Sequence, residues 1–137
     1  VTAKIMDERF KEDNIIALAT VKDNKPFVRY VNAYYEDGAF YVITYAISNK
    51  MQHIKENSAV SIAGDWFQAE GEGENIGYFH KNENKEIAEK LKFAFSEWID
   101  NGHNDFEDEN TVILKIKLKE GVLFNHGIRY HIDFICL

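Results

Sequence analysis

Arg29, Thr44, Ser48 and Lys50 are the residues of this chain whose types and spacing could do chemistry together. Arg29 alternates with Phe27, Val31, Ala33 and Tyr35, so a strand of period two sets a guanidinium on an otherwise apolar face. A cation placed among apolar neighbours needs an anion. Ser48 stands where a helix would begin, and a helix start leaves backbone N–H groups unpartnered at the positive end of the dipole. Lys50 falls in that first turn, where its charge opposes the dipole unless an anion compensates. With the hydroxyls of Thr44 and Ser48, a ligand phosphate would meet a guanidinium, an ammonium, two hydroxyls and helix-terminal amides. A plainer reading stays open: Arg29 pairs with Glu36 or Asp37, and Lys50 is a solvated helix residue, since such surface pairs are common and contribute little.

Other chemistries find less support. His53, His80, His103, His126 and His131 are scattered, no pair has the i, i+4 spacing with a carboxylate of a helical zinc site, and no metal site is expected. The string Gly71-Glu72-Gly73-Glu74-Asn75-Ile76-Gly77 has the wrong spacing for a dinucleotide loop. Its glutamates would repel pyrophosphate, and it reads as a turn. Cys136 is the single cysteine, which excludes an intrachain disulfide and fits a reducing cytoplasm. Ser48 has no histidine nearer than His53, so nucleophilic catalysis is not expected. The formal charge of −7 makes nucleic acid an unfavourable partner. No apolar run approaches the roughly 18 residues of a membrane span, and with its charged start neither a span nor a signal peptide is expected.

The elements that must position these residues follow from periodicity. A chain of 137 residues with 45% hydrophobic and 28% charged residues can bury a core, and residues 1–137 are expected to form one domain. Thr2 is a candidate N-cap for a helix reaching about Asp13-Asn14. Strands are predicted over Ile15–Val21, Phe27–Tyr35 and Ala39–Tyr45, separated by polar turns at Lys22–Pro26 and Glu36–Gly38. Ser48 caps a short helix, Asn49–Glu56, and a strand Ala59–Trp66 follows. Ile87, Leu91, Phe95 and Trp98 form a stripe on a helix over Asn84–Ile99 that should cover the barrel or an interface. Thr111–Lys119 alternates as a half-buried strand. Gly121 reads as a turn into two further runs, Val122–Phe124 and Ile128–Ile135. Six to seven short strands with few helices make a mainly β chain: a small antiparallel barrel with flanking helices.

The order Ile16–Val21, Lys25–Val31, Gly38–Thr44, Ser48-Asn49-Lys50 and Ile54–Val60 resembles the pyridoxamine 5′-phosphate oxidase-like FMN-binding split barrels, most closely over the first half of the chain. The resemblance implies a split barrel that forms a homodimer with two FMN sites at its interface. Arg29 and Lys50 match the residues that hold the FMN phosphate, with Thr44 and Ser48 as hydroxyl partners. Tyr30, Val31 and Asn32 match the segment lying along the isoalloxazine ring. Asn49 falls where the oxidases often carry a second basic residue, so this phosphate site is less cationic. Trp66 matches a position near the flavin contributed by the partner chain. Arg129-Tyr130-His131 repeats the Arg-x-His that the oxidases use for substrate, against the simpler reading of an exposed last strand. The implied function is an FMN-dependent oxidoreductase acting on a small molecule of unknown identity, with NAD(P)H as candidate reductant. The alternatives are a flavin-binding module without turnover and a homologue using deazaflavin or haem. FMN itself carries the redox chemistry, so the lack of an acid–base pair is no objection.

Overall fold

The structure is a computed structural model that describes residues 1–136. Its elements in chain order are α1 (Thr2–Arg9), β1 (Asn14–Lys22), β2 (Lys25–Glu36), β3 (Ala39–Tyr45), α2 (Asn49–Glu56), β4 (Ala59–Gly64), β5 (Phe67–Tyr78), a 3-10 turn at Asn82–Asn84, α3 (Lys85–Ala94), β6 (Thr111–Asn125) and β7 (Ile128–Asp133). The strands run in the order β3-β2-β1-β4-β5-β6-β7, and β3 also pairs with β6. Six antiparallel strands thus close a barrel and β7 is appended to β6, the mainly β fold with flanking helices that the periodicity indicates.

Turn chemistry sets the registers. Asp23 and Asn24 both have positive φ (52° and 62°), as do Asp37 and Gly38 (46° and 81°) and His126 and Gly127 (51° and 76°). Two left-handed residues in succession match the twist of a two-residue hairpin. Leu18 therefore lies opposite Arg29 and Thr20 opposite Phe27. The inward residues of β1, Ile16, Leu18 and Thr20, are buried. With Phe10, Phe40, Ile62, Phe67, Leu114 and Leu123 the first two belong to the barrel core.

Several boundaries differ from the sequence expectation. Helix α1 has Val1, not Thr2, at its N-cap and ends at Arg9. Asn14 Nδ2 donates to the Phe10 and Glu12 carbonyls (2.9 and 2.8 Å), which satisfies the chain where it leaves the helix. Strand β4 stops at Gly64, and Asp65-Trp66 turn into β5. The glycine string at Gly71–Gly77 is strand, not turn: a Cβ on Gly71 would lie 2.2 Å from the Lys117 carbonyl oxygen, so the glycine permits close approach of β5 and β6. Gly121 likewise lies within β6, where a Cβ would fall 2.9 Å from the Gln68 carbonyl oxygen. The pairing passes from Glu70↔Glu120 to Gly71↔Leu118, leaving Lys119 as a bulge that bends β6.

Helix α3 ends at Ala94 rather than Ile99, yet its stripe performs the expected covering. Leu91, Phe95 and Ile99 are buried against Phe79 and Ile113, with Ile87 and Trp98 packed at the edge. Phe95 and Trp98 stack at 4.8 Å in the turns beyond the helix. Isolated turn hydrogen bonds, such as Ile99 N–H to the Phe95 carbonyl at 2.9 Å, and apolar contact together hold that tail. No helix is long and apolar enough to cross a membrane.

Candidate functional site

Strand β2 carries Arg29 at an inward position near one mouth of the barrel, where the side chain is half-buried. Its NH1 donates to the Thr20 hydroxyl at 2.7 Å and to the Leu18 carbonyl at 3.2 Å. Nε and NH2 make no hydrogen bond among the described residues. The pairing with Glu36 or Asp37 does not form: seven residues of extended strand separate Arg29 from Glu36, roughly 23 Å. Glu36 is engaged instead by Lys90 of α3.

Lys50 comes to the same place from α2. Its Nζ donates to Thr44 Oγ1 at 2.9 Å, and Thr44 is buried at the end of β3. Two ammonium donors remain. Burial pushes the Lys50 ammonium below its usual pKa of 10.5, and the positive charge of Arg29 lowers it further. Burial also lowers Arg29. Among the described residues neither cation has a carboxylate partner. Two neighbouring, partly desolvated cations without an anion are a standing electrostatic cost.

Ser48 is the N-cap of α2 by position, with φ −66° and ψ 159°, but its hydroxyl makes no capping bond. Ser48 Oγ is buried and has no hydrogen-bond partner. Buried hydroxyls are rarely left so. The four residues foreseen for a phosphate thus fall into one region: β2 supplies Arg29, β3 supplies Thr44, and the start of α2 supplies Ser48 and Lys50. Asn49 is exposed at the first helical position. Their unused donors and orphaned hydroxyl fit a phosphate.

Tyr30, Val31 and Asn32 continue β2 away from this cluster. Tyr30 is 79% exposed on the outer face, and Val31 is half-buried. Asn32 Nδ2 donates to Asp13 Oδ1 at 3.0 Å, while Trp98 Nε1 donates to the other Asp13 oxygen at 2.7 Å. Cross-strand register aligns Tyr30 with Ala17, Ala63, Gln68 and Val122, and Val28 with Ala19, Ser61, Glu70 and Glu120. Small side chains on β1 and β4 therefore floor an outer groove of about 500 Å³, with Val28 on one wall and His131 on the other. Within one chain Trp66 is not brought to the cations. It sits in the β4–β5 turn at φ 50°, 71% exposed, with its ring against Phe124. Arg129 and His131 lie exposed on β7, and His131 Nε2 is 4.0 Å from a Glu120 oxygen.

Two residues of the site escaped the sequence reading, Thr20 and His53. Thr20 Oγ1 lies 2.8 Å from His53 Nδ1 and also receives Arg29. Both residues are buried. The available signal was a threonine in phase with the core positions Ile16 and Leu18 and diagonal to Arg29 across the hairpin.

The model of the pyridoxamine 5′-phosphate oxidase family matches residues 2–124. Among curated proteins none matches the sequence. Similar solved structures include a FAD-binding protein from Mesorhizobium loti (17% identity, 88% of this chain and 92% of that one, TM-score 0.69). General stress protein 26 from Bacillus anthracis is another (22%, 96% and 95%, TM-score 0.64). A heme binding protein from Mycobacterium smegmatis is a third (12%, 94% and 57%, TM-score 0.70). These likenesses establish the fold. With its closed six-stranded barrel, appended seventh strand and family match across most of its length, the chain belongs to the pyridoxamine 5′-phosphate oxidase-like split-barrel family.

Proposed function

We propose that the chain binds FMN and serves as a flavin-dependent oxidoreductase for a small molecule, working as a homodimer. The observation that carries this reading is the pair Arg29 and Lys50, without a carboxylate, beside the orphaned hydroxyl of Ser48 at the start of α2. A phosphate supplies the missing anion, accepts from Nε and NH2 of Arg29 and from Lys50, and gives the serine hydroxyl a partner. The first-turn amides of α2 complete the cradle. Riboflavin, lacking the phosphate, would leave every one of these groups as it is.

Bound FMN would supply hydride and electron transfer, with NAD(P)H as reductant. The protein's part is to hold and shield. Arg29, Thr44, Ser48, Asn49 and Lys50 take the phosphate end, and Tyr30, Val31 and Asn32 line the ring. Asp13 fixes Asn32 and is itself fixed by Trp98, which makes that edge of the site rigid. A ring beside Tyr30 would be open to water in one chain. A second copy over the outer face of β1, β2 and β4, where Ile15, Val28 and Tyr30 are exposed, would exclude that water and bring its own Trp66 turn.

The test is the absorption spectrum of the protein after incubation with FMN and removal of free ligand, followed by NAD(P)H turnover with an added acceptor. Flavin bands at one FMN per chain with turnover are expected. A colourless protein, or one that takes up only haem or deazaflavin, overturns the FMN reading. Flavin bands without turnover reduce the function to flavin binding.

A further inference from the structure

We propose that Thr20 and His53 are positioning residues that preset Arg29 for a phosphate, an inference that rests on the phosphate-site reading above. Thr20 is 0% exposed and His53 6%. Arginine only donates, so the Thr20 hydroxyl must accept from Arg29 NH1 at 2.7 Å. The same hydroxyl makes its second hydrogen bond with His53 Nδ1 at 2.8 Å, so its oxygen is held from two sides. Hydrogen bonds thus link Arg29 to Thr20 and Thr20 to His53 in one chain of contacts.

That chain of contacts fixes one end of the guanidinium. NH1 is consumed by Thr20 and by the Leu18 carbonyl, and this clamps the group so that Nε and NH2 face away as a free edge. Two parallel donors on one edge are the geometry of bidentate oxyanion recognition. A preset edge spares the long side chain from being ordered when the ligand arrives. His53 is kept in place by the ring of Phe27, 4.8 Å between centroids, and by its position on the buried face of α2 with Met51 and Ile54. Helix α2 therefore contributes twice: its N-cap and first turn supply Ser48 and Lys50, and its second turn locks the arginine of β2.

The test measures dissociation constants for FMN and riboflavin by flavin fluorescence, in the wild type and in substituted full-length chains. His53→Phe keeps a ring against Phe27 but removes the hydrogen-bonding nitrogen, whereas His53→Asn keeps a hydrogen-bonding group at the reach of Nδ1. Thr20→Val removes the hydroxyl and Thr20→Ser retains it. His53→Phe and Thr20→Val should each weaken FMN about three- to tenfold, the size of one hydrogen bond, and leave riboflavin unchanged. His53→Asn and Thr20→Ser should stay within about twofold of the wild-type FMN-to-riboflavin ratio, and the double variant should lose little more than either single one, as expected of groups acting as a unit. An unchanged ratio in His53→Phe and Thr20→Val, or equal losses for FMN and riboflavin, overturns the positioning role and leaves the phosphate site standing. Equal affinity of the wild type for the two ligands overturns the phosphate site itself. Should the His53 variants not fold, the Thr20 pair decides alone.

Discussion

Arg29→Met is the substitution that separates a ligand anchor from a structural cation. Methionine keeps much of the apolar stem and removes every donor. In the FMN complex the loss is the free Nε–NH2 edge. Charge-assisted hydrogen bonds contribute about 1.5–3 kcal/mol each, and Lys50 remains to recover part of the charge. FMN affinity should therefore fall at least tenfold, about 1.4 kcal/mol, and riboflavin affinity should hold. In the apo protein two effects oppose each other. The bonds from NH1 to Leu18 O and Thr20 Oγ1 disappear, but so does a partly desolvated charge beside Lys50. Thr20 keeps His53 as a partner, so apo stability should change by no more than about 1 kcal/mol. Fluorescence titration with both flavins and urea unfolding of the apo proteins supply the two numbers. An unaltered FMN dissociation constant together with a large loss of apo stability would refute the assignment of Arg29 to phosphate.

Lys50 makes binding pH-dependent. Its apo pKa is lowered by burial and by Arg29, so between that value and the usual 10.5 the unfolded chain holds a proton that the folded apo chain lacks. Apo stability from Lys50 should rise with pH through that window, and FMN binding, which favours the ammonium, should take up a proton and weaken. The phosphate is already dianionic above about pH 7, so a flat ratio of FMN to riboflavin affinity through the usual lysine pKa of 10.5 would contradict this. Gly71→Ala should destabilise the fold by about 1–3 kcal/mol in chemical unfolding, because its Cβ meets the Lys117 carbonyl; a neutral result would show that β5 and β6 separate easily. Val28→Glu places a charge on the exposed outer face and should yield monomers at micromolar concentration in sedimentation, whereas an undiminished dimer would move the interface elsewhere.

The parts legible in the sequence were those with a local cause. β3 and α2 were read at their observed ends because turn residues and a cap position bracket them. The grouping of Arg29 with Thr44, Ser48 and Lys50 was legible because a cation in phase with Phe27, Val31 and Ala33 breaks the apolar pattern. What escaped depends on pairing across the barrel. Gly71 and Gly121 resemble turn residues until the opposite backbone is known, and then they mark close approach. The Thr20–His53 contact joins residues 33 apart, β1 to α2, and neither residue breaks its own local pattern enough to announce the other. The rival pairing of Arg29 with Glu36 is ruled out by strand geometry alone, since an extended strand keeps them far apart.

Recognition of a flavin phosphate by Arg29, Thr44, Ser48 and Lys50 is decided by titration of the apo protein with FMN and with riboflavin under one set of conditions. The two ligands share the ring and differ in the phosphate. FMN should bind at least about a hundredfold more tightly, which corresponds to about 2.7 kcal/mol, the contribution of two charge-assisted bonds at the lower end of their range. Equal dissociation constants would contradict it.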